Sequence, residues 1–257
     1  MTEEIRIESV QRQGKKYRVE TTEGEHTLTE ETIIKFLVLK GAVFTGDEFS
    51  KILAFDEENR LFDKALRHLA TQSRSVSEMR EYLKERTDAE TGERIIARLL
   101  VLNYLDDAAF VQNLFDYAVR NFRGPKYLEA RLEKSGIDSA LIREVLGRYD
   151  EELEKKLISE YLEKRKDRDK DKPARKQKEM LFQKLLRAGF TYGAVNSALR
   201  VHEFVDESEA HLGEEIQRLE EKFSSLDERK KKEKVIRRLI QEGYAYDDIM
   251  LHLKGEE

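Results

Sequence analysis

Three segments of this 257-residue chain carry one signal: Leu132-Glu-Lys-Ser-Gly136-Ile137, Leu185-Leu-Arg-Ala-Gly189-Phe190 and Leu239-Ile-Gln-Glu-Gly243-Tyr244. In each, a leucine stands four residues before a glycine and an apolar residue directly after it. An apolar residue returns six after the glycine (Ile142, Val195, Ile249), and a leucine ten after it (Leu146, Leu199, Leu253). This spacing predicts a helix–glycine–helix corner. The glycine takes the left-handed conformation that ends one helix, its successor packs into the corner, and the next helix returns antiparallel. The stretch 82–100 resembles the same unit with a longer connection and no glycine. Self-similarity at a near-even period marks a repeat architecture. It predicts four three-helix repeats, at 57–105, 106–149, 150–200 and 206–257.

Working outward, the helical period is visible from residue 57 onward. Leu61, Phe62, Ala65, Leu66, Leu69 and Ala70 form one helix face. Ser75-Val-Ser-Glu78 is a capping box that opens a helix. Asp106 is an N-cap before the stripe Phe110, Val111, Leu114, Phe115, Ala118 and Val119. Pro125 suits a first helical position.

The first 28 residues read differently: Ile5 and Ile7, then Tyr17 and Val19, alternate with charges around polar turns at Gly14 and Gly24. A three-stranded meander over 4–11, 15–22 and 26–28 is expected. Two short helices should cover it, one over 30–40 ending at Gly41 and one opening with the capping box Thr45-Gly-Asp-Glu48. The segment 1–56 is thus expected as a unit of its own. The fold class is mainly α: tandem three-helix repeats forming an elongated, curved molecule, with a small N-terminal β-meander.

Composition agrees. Charged residues make up 39% of the chain and hydrophobic residues 39%, which favours small serial cores over one deep core. Two prolines argue against a loop-rich or all-β protein. The absence of cysteine excludes disulfides, thiolate metal sites and thiol nucleophiles. The acidic N-terminus has no apolar h-region. No apolar run approaches the ~20 residues that span a bilayer. These features lead to the expectation of a cytoplasmic protein.

A catalytic constellation is not found. The stretch 41–46 has the glycine spacing of a phosphate-binding loop, but Asp47 and Glu48 stand where that loop needs Lys and Ser/Thr. It is read as a helix–turn–helix connection. His26, His68, His202, His211 and His252 show no metal-ligand spacing, and His68 is expected as a solvated residue on a charged helix flank. No metal, no cofactor and no enzymatic activity are expected.

Charge is more informative. The stretch 164–178 holds nine Lys/Arg against three Asp, and 228–238 holds seven against two Glu, in a chain of net charge −5. A smaller set, Arg120, Arg123, Lys126, Arg131 and Lys134, occupies the corresponding place in the second repeat. A solvated helix face is the ordinary meaning of one such run. Recurrence in successive repeats points to a shared binding strip that meets phosphates or an acidic protein surface. The candidate contacts are Arg120, Arg123, Lys126, Arg131, Lys134, Lys164, Arg165, Lys176, Lys178, Lys230 and Lys231. Few aromatics interleave with them in sequence, which gives base stacking little support. A strand edge at 5–10 or at Leu28 could pair with a partner, but packing within the chain is the favoured reading.

Leu69-Ala-Thr-Gln-Ser-Arg-Ser75-Val-Ser-Glu-Met79, Leu102-Asn-Tyr-Leu-Asp-Asp107-Ala-Ala-Phe110, Arg123-Gly-Pro-Lys126 and Leu132-Glu-Lys-Ser-Gly-Ile137 together resemble the RecX family, regulators of the bacterial RecA recombinase. The resemblance covers 57–200, with the flanking segments similar to the longer members. It implies a non-enzymatic, monomeric modulator that binds RecA nucleoprotein filaments and suppresses ATP hydrolysis and strand exchange in DNA repair and recombination. Two other readings remain open on the residues alone: a direct binder of single- or double-stranded DNA, and a helical adaptor for an unrelated protein.

Overall fold

The computed structural model describes residues 4–255 and divides them into two compact units. The first runs to Phe110 and includes the turn Ser135–Ile137; the second holds 111–134 and everything from 138 onward.

The first unit opens with strands β1 (Glu4–Gln13), β2 (Lys16–Thr21) and β3 (Gly24–Thr29), the expected meander. They pair antiparallel in the order β3-β2-β1-β4. A bulge between Ile7 and Ser9 shifts the alternation of β1, so that Ile5, Ile7 and then Val10 pack on the core side. Helix α1 (Glu30–Phe36) is shorter than expected: Leu37, at φ 52°, ends it instead of Gly41. The chain beyond is held by the sheet. Ile7 donates its N–H to the Ala42 carbonyl at 2.9 Å, and Gly41 donates to the Ile7 carbonyl at 2.8 Å. The stretch expected as a plain helix–turn–helix connection therefore contains a fourth strand, β4 (Val43–Thr45), paired to β1 at Ile5↔Phe44. Its Val-Phe-Thr sequence suits a pleated, half-buried place. β4 also takes up the β1 edge that the sequence leaves open.

Helix α2 (Gly46–Thr71) begins at the expected Thr45 capping box but runs unbroken for 26 residues. A short helix ending before 57 is not what forms. The apolar stripe pauses at Asp56 and Asn59, which reads as a break in sequence, yet both are buried. Asp56 accepts from the Thr29 N–H at 2.6 Å and the Thr32 hydroxyl at 2.9 Å, and pairs with Arg60 at 2.7 Å. Arg60 in turn donates to the Thr27 carbonyl, so β3 is tied to the helix. Asn59 accepts from Arg98 at 2.8 Å. One helix serves two cores, with Phe49 and Ile52 under the sheet and Leu61, Phe62 and Ala65 in the next.

The C-terminal part of α2 joins α3 (Val76–Lys84) and α4 (Ala89–Val101) around Met79, Leu83, Ile95, Ile96 and Leu99. His68 is not simply solvated there. Its ring stacks on Tyr82 at 4.1 Å, and burial together with Arg74 and Arg86 lowers its pKa.

The remaining helices also come in threes: α5 (Asp107–Arg120), α6 (Pro125–Lys134), α7 (Ser139–Gly147); α8 (Glu151–Glu163), α9 (Ala174–Arg187), α10 (Tyr192–Val201); α11 (Leu212–Lys222), α12 (Glu228–Glu242), α13 (Tyr246–Gly255). The sequence signal maps onto them as expected. Gly136, Gly189 and Gly243 have φ of 66°, 93° and 100°. Leu132, Leu185 and Leu239 are buried, as are Ile142, Val195 and Ile249.

The glycines have a second role that the sequence does not announce. Each one faces the start of the middle helix of the preceding repeat. A Cβ on Gly136 would lie 2.6 Å from the Ser77 Cβ, and one on Gly189 would lie 2.5 Å from the Tyr127 nitrogen. In the first unit, the Ser75 hydroxyl accepts from the Glu78 N–H at 3.0 Å and donates to the Ser135 carbonyl at 2.5 Å. In the second, Gly124 donates its own N–H to the Ala188 carbonyl at 2.8 Å, and Lys126 donates to the Gly189 carbonyl at 3.0 Å. The residue before the glycine thus accepts a hydrogen bond in both places.

Candidate partner-binding surface

The joint between the second and third repeats gathers several of the sequence-predicted cations. Phe122, at φ 51°, turns the chain out of α5 and meets Tyr161 of α8 edge-on at 5.6 Å. The Lys164 ammonium sits 4.7 Å over the Phe122 ring, and the Arg165 guanidinium lies 5.6 Å from the Tyr161 ring. Arg123 lies over Tyr127 at 5.2 Å, and its carbonyl accepts from the Tyr149 hydroxyl at 2.5 Å. Burial pushes the Tyr149 phenol pKa upward, which keeps it a donor. Lys126 is exposed on the first turn of α6, where its N–H joins the backbone stitch. Arg123, Lys164 and Arg165 therefore belong to one neighbourhood, Lys126 meets the same joint through its backbone, and Lys184 of α9 lies 5.7 Å from the Tyr161 ring.

This changes the reading of the aromatics. Few interleave with the basic residues in sequence, but Tyr127 lies four after Arg123 and Tyr161 four before Arg165, and folding adds Lys164 over Phe122 and Lys184 over Tyr161 from other elements. The three rings act as half-buried platforms, where cation–π contact adds roughly 0.5–2 kcal/mol according to desolvation.

The other candidates lie elsewhere. Arg120 is exposed and bonds back to the Asp116 carbonyl at 3.2 Å. Arg131 is half-buried on α6, and Lys134 is exposed at the end of that helix, where a cation complements the helix dipole. Lys176 stands 3.4 Å from Glu179 and 3.8 Å from Glu242, so its charge is answered within the protein. Lys178 is exposed on the same helix. Lys230 and Lys231 pair with Asp227 and Glu228 at 3.2 and 2.8 Å in the first turn of α12. Lys126, Lys134 and Lys178 carry no ion pair among the described residues, which leaves them available to a partner.

Among the described residues no group of His, Asp and Glu is arranged to hold a metal ion, and no helix is long and apolar enough to cross a membrane. His202 packs edge-on to Phe204 at 4.9 Å, and its pKa is lowered chiefly by burial. Lys184, Arg168 and His202 were not singled out as contacts from sequence. Lys184 and His202 lie outside the basic run, and Arg168 is indistinguishable within it.

A family model described as RecX, first three-helix domain, matches residues 62–99. Over nearly its whole length the chain is also similar to proteins named regulatory protein RecX. It is 26% identical to that of Streptococcus gordonii over 253 residues, 95% of this chain and 97% of the relative. The similarity to RecX proteins runs from end to end of the chain. With the RecX protein of Listeria monocytogenes serotype 4b it shares 25% identity over 240 residues, 90% of this chain and 88% of the relative. A crystal structure of regulatory protein RecX, 22% identical, shares the fold at a TM-score of 0.58 and covers 76% of this chain and 98% of that one. These relatives are named as regulatory proteins.

Proposed function

We propose that the protein is a negative regulator of the RecA recombinase: it binds RecA nucleoprotein filaments in the cytoplasm as a monomer and suppresses ATP hydrolysis and strand exchange, with no catalysis of its own. The observation that carries this reading is the end-to-end similarity to regulatory RecX proteins, which includes the sheet and the last repeat. The cation-rich joint of the second and third repeats supplies a surface suited to a filament that presents phosphates and acidic side chains. A net charge of −5 over the whole chain limits affinity for free DNA.

The test is single-stranded-DNA-dependent ATP hydrolysis by the cognate RecA, with the protein added before or after filament assembly. Substoichiometric inhibition is expected. A triple variant, Lys126→Glu, Lys134→Glu and Lys178→Glu, should inhibit at least several-fold less while keeping its helicity, because these side chains hold no internal ion pair. No inhibition at equimolar protein would overturn the proposal. The cation–aromatic joint also suits direct DNA binding. Tight binding of naked single strands near physiological salt, with a steep salt dependence, would favour that reading instead.

A further inference from the structure

We propose that the third repeat carries a socket for a single phosphoryl group, in the recess between the end of α8, the turns at 164–172, α9 and the chain leaving α10. The recess encloses about 100 Å³. Arg165, Lys166, Arg168 and Lys184 line it together with His202 and one carboxylate, Asp169. The carboxylate is already engaged: Lys172 bonds one of its oxygens, and Arg165 stands 4.0 Å from the other. Lys166 stands 3.8 Å from Glu163, outside the lining. Arg168 and Lys184 have no ion pair among the described residues, so the lining keeps a surplus of positive charge. Leu162, Leu181 and Phe204 complete the wall. Apolar walls lower the local dielectric and strengthen the attraction for an anion well beyond that of an exposed lysine patch.

A second observation points the same way. The Arg165 Nε–H is buried and has no hydrogen-bond acceptor. Leaving such a donor unmet costs about 1–3 kcal/mol, and a charge-assisted bond to an oxyanion removes that cost. A phosphoryl group offers three strong acceptor oxygens, which suits donors arriving from three separate chain segments. The volume accommodates one such group and gives no track for a continuous backbone. The ligand class is therefore a terminal phosphate or a free phosphate compound. This socket does not depend on the RecA reading and is tested without RecA.

Pyrophosphate titrated into the full-length protein by calorimetry should bind saturably at one site. Arg168→Gln and Lys184→Gln should each weaken it by about tenfold or more. Arg175→Gln, an exposed cation of α9 that does not line the recess, should leave it within about twofold. In the unmodified protein, the imidazole resonances of His202 should move on binding and its pKa should rise, a readout that requires no variant. A parallel titration compares an oligonucleotide carrying a 5′-phosphate with its 5′-hydroxyl form. Preference for the phosphate would identify a strand end as the source; equal weak binding alongside tight pyrophosphate binding would identify a free phosphate compound. Binding that does not saturate, or that saturates but ignores Arg168→Gln, Lys184→Gln and His202, would overturn the socket.

Discussion

Two joints in the second unit begin from the same sequence signal and are built differently. Where the third repeat meets the second, Gly189 and Gly124 bring backbone against backbone, and two N–H groups cross the joint. Where the fourth meets the third, a Cβ on Gly243 would stand 3.3 Å from the Lys176 nitrogen and 3.4 Å from the Pro173 Cβ, which is tight but passable. One backbone bond crosses there, from the Glu207 N–H to the Lys170 carbonyl at 2.8 Å, and side chains do the rest of the linking. Asp206 accepts from the Ala174 N–H at 2.7 Å, Gln177 donates to the Val205 carbonyl at 2.7 Å, and Lys170 and Lys176 pair with Glu207 and Glu242. A glycine can thus mark a φ requirement, a close approach, or both, and its place in a motif does not say which.

Three alanine substitutions separate these reasons. Gly189→Ala meets both and should be the largest effect, about 3–5 kcal/mol of stability in urea unfolding, from the left-handed conformation and the overpacking together. Gly124 does not have a positive φ, so Gly124→Ala isolates the clash with the Phe190 nitrogen and the Gly189 carbonyl, at roughly 2–3 kcal/mol. Gly243→Ala isolates the conformation, at about 1–2 kcal/mol. Equal losses at Gly189 and Gly243 would show that the backbone stitch contributes nothing.

Much of this fold was legible. The central glycines, the buried leucines four before them and both capping boxes stand where sequence places them, because each signal is local. The misreadings share one cause: partners distant in sequence. The break expected in α2 failed because Asp56 and Asn59 are buried by bonds to Thr29, Thr32 and Arg98. The strand at Val43–Thr45 failed to show because three residues are a strand only when β1 offers an edge. For the candidate surface, charge runs nominated Lys164 and Arg165 but could not separate them from Lys176, whose charge is spent on Glu179 and Glu242. Nor could they nominate Lys184, which only the fold brings to Tyr161.

Smaller perturbations sharpen the contrast between the joints. Tyr149→Phe removes one part-buried hydrogen bond within the second repeat, beside its joint with the third, and leaves the Arg123 carbonyl without that donor. A loss of about 1–2 kcal/mol is expected, and it should change little with salt because no ion pair is involved. His202 lies on the chain leading from the third repeat to the fourth. Its folded pKa is lowered, so the neutral imidazole contributes stability that is present above its unfolded value of about 6.5 and is lost as pH falls below it. Urea midpoints at pH 7.5 and 5.5 should therefore fall further for the unmodified protein than for His202→Gln. An identical fall would remove His202 from the account.

The smallest effect is expected at Lys176. Its pairs with Glu179 and Glu242 stretch to 3.4 and 3.8 Å, and its side chain retains about a quarter of its exposure. Partly exposed pairs of this kind contribute about 0–1 kcal/mol, so Lys176→Gln should barely move the urea midpoint at physiological salt. At low salt the screening length grows from about 8 to about 30 Å, and the difference between Lys176→Gln and the unmodified protein should widen. Tyr149→Phe, measured in parallel, should show no such widening. If both respond to salt alike, the division into a backbone-stitched joint and a charge-linked joint is wrong, and Gly243 tolerates its neighbour for reasons of packing alone.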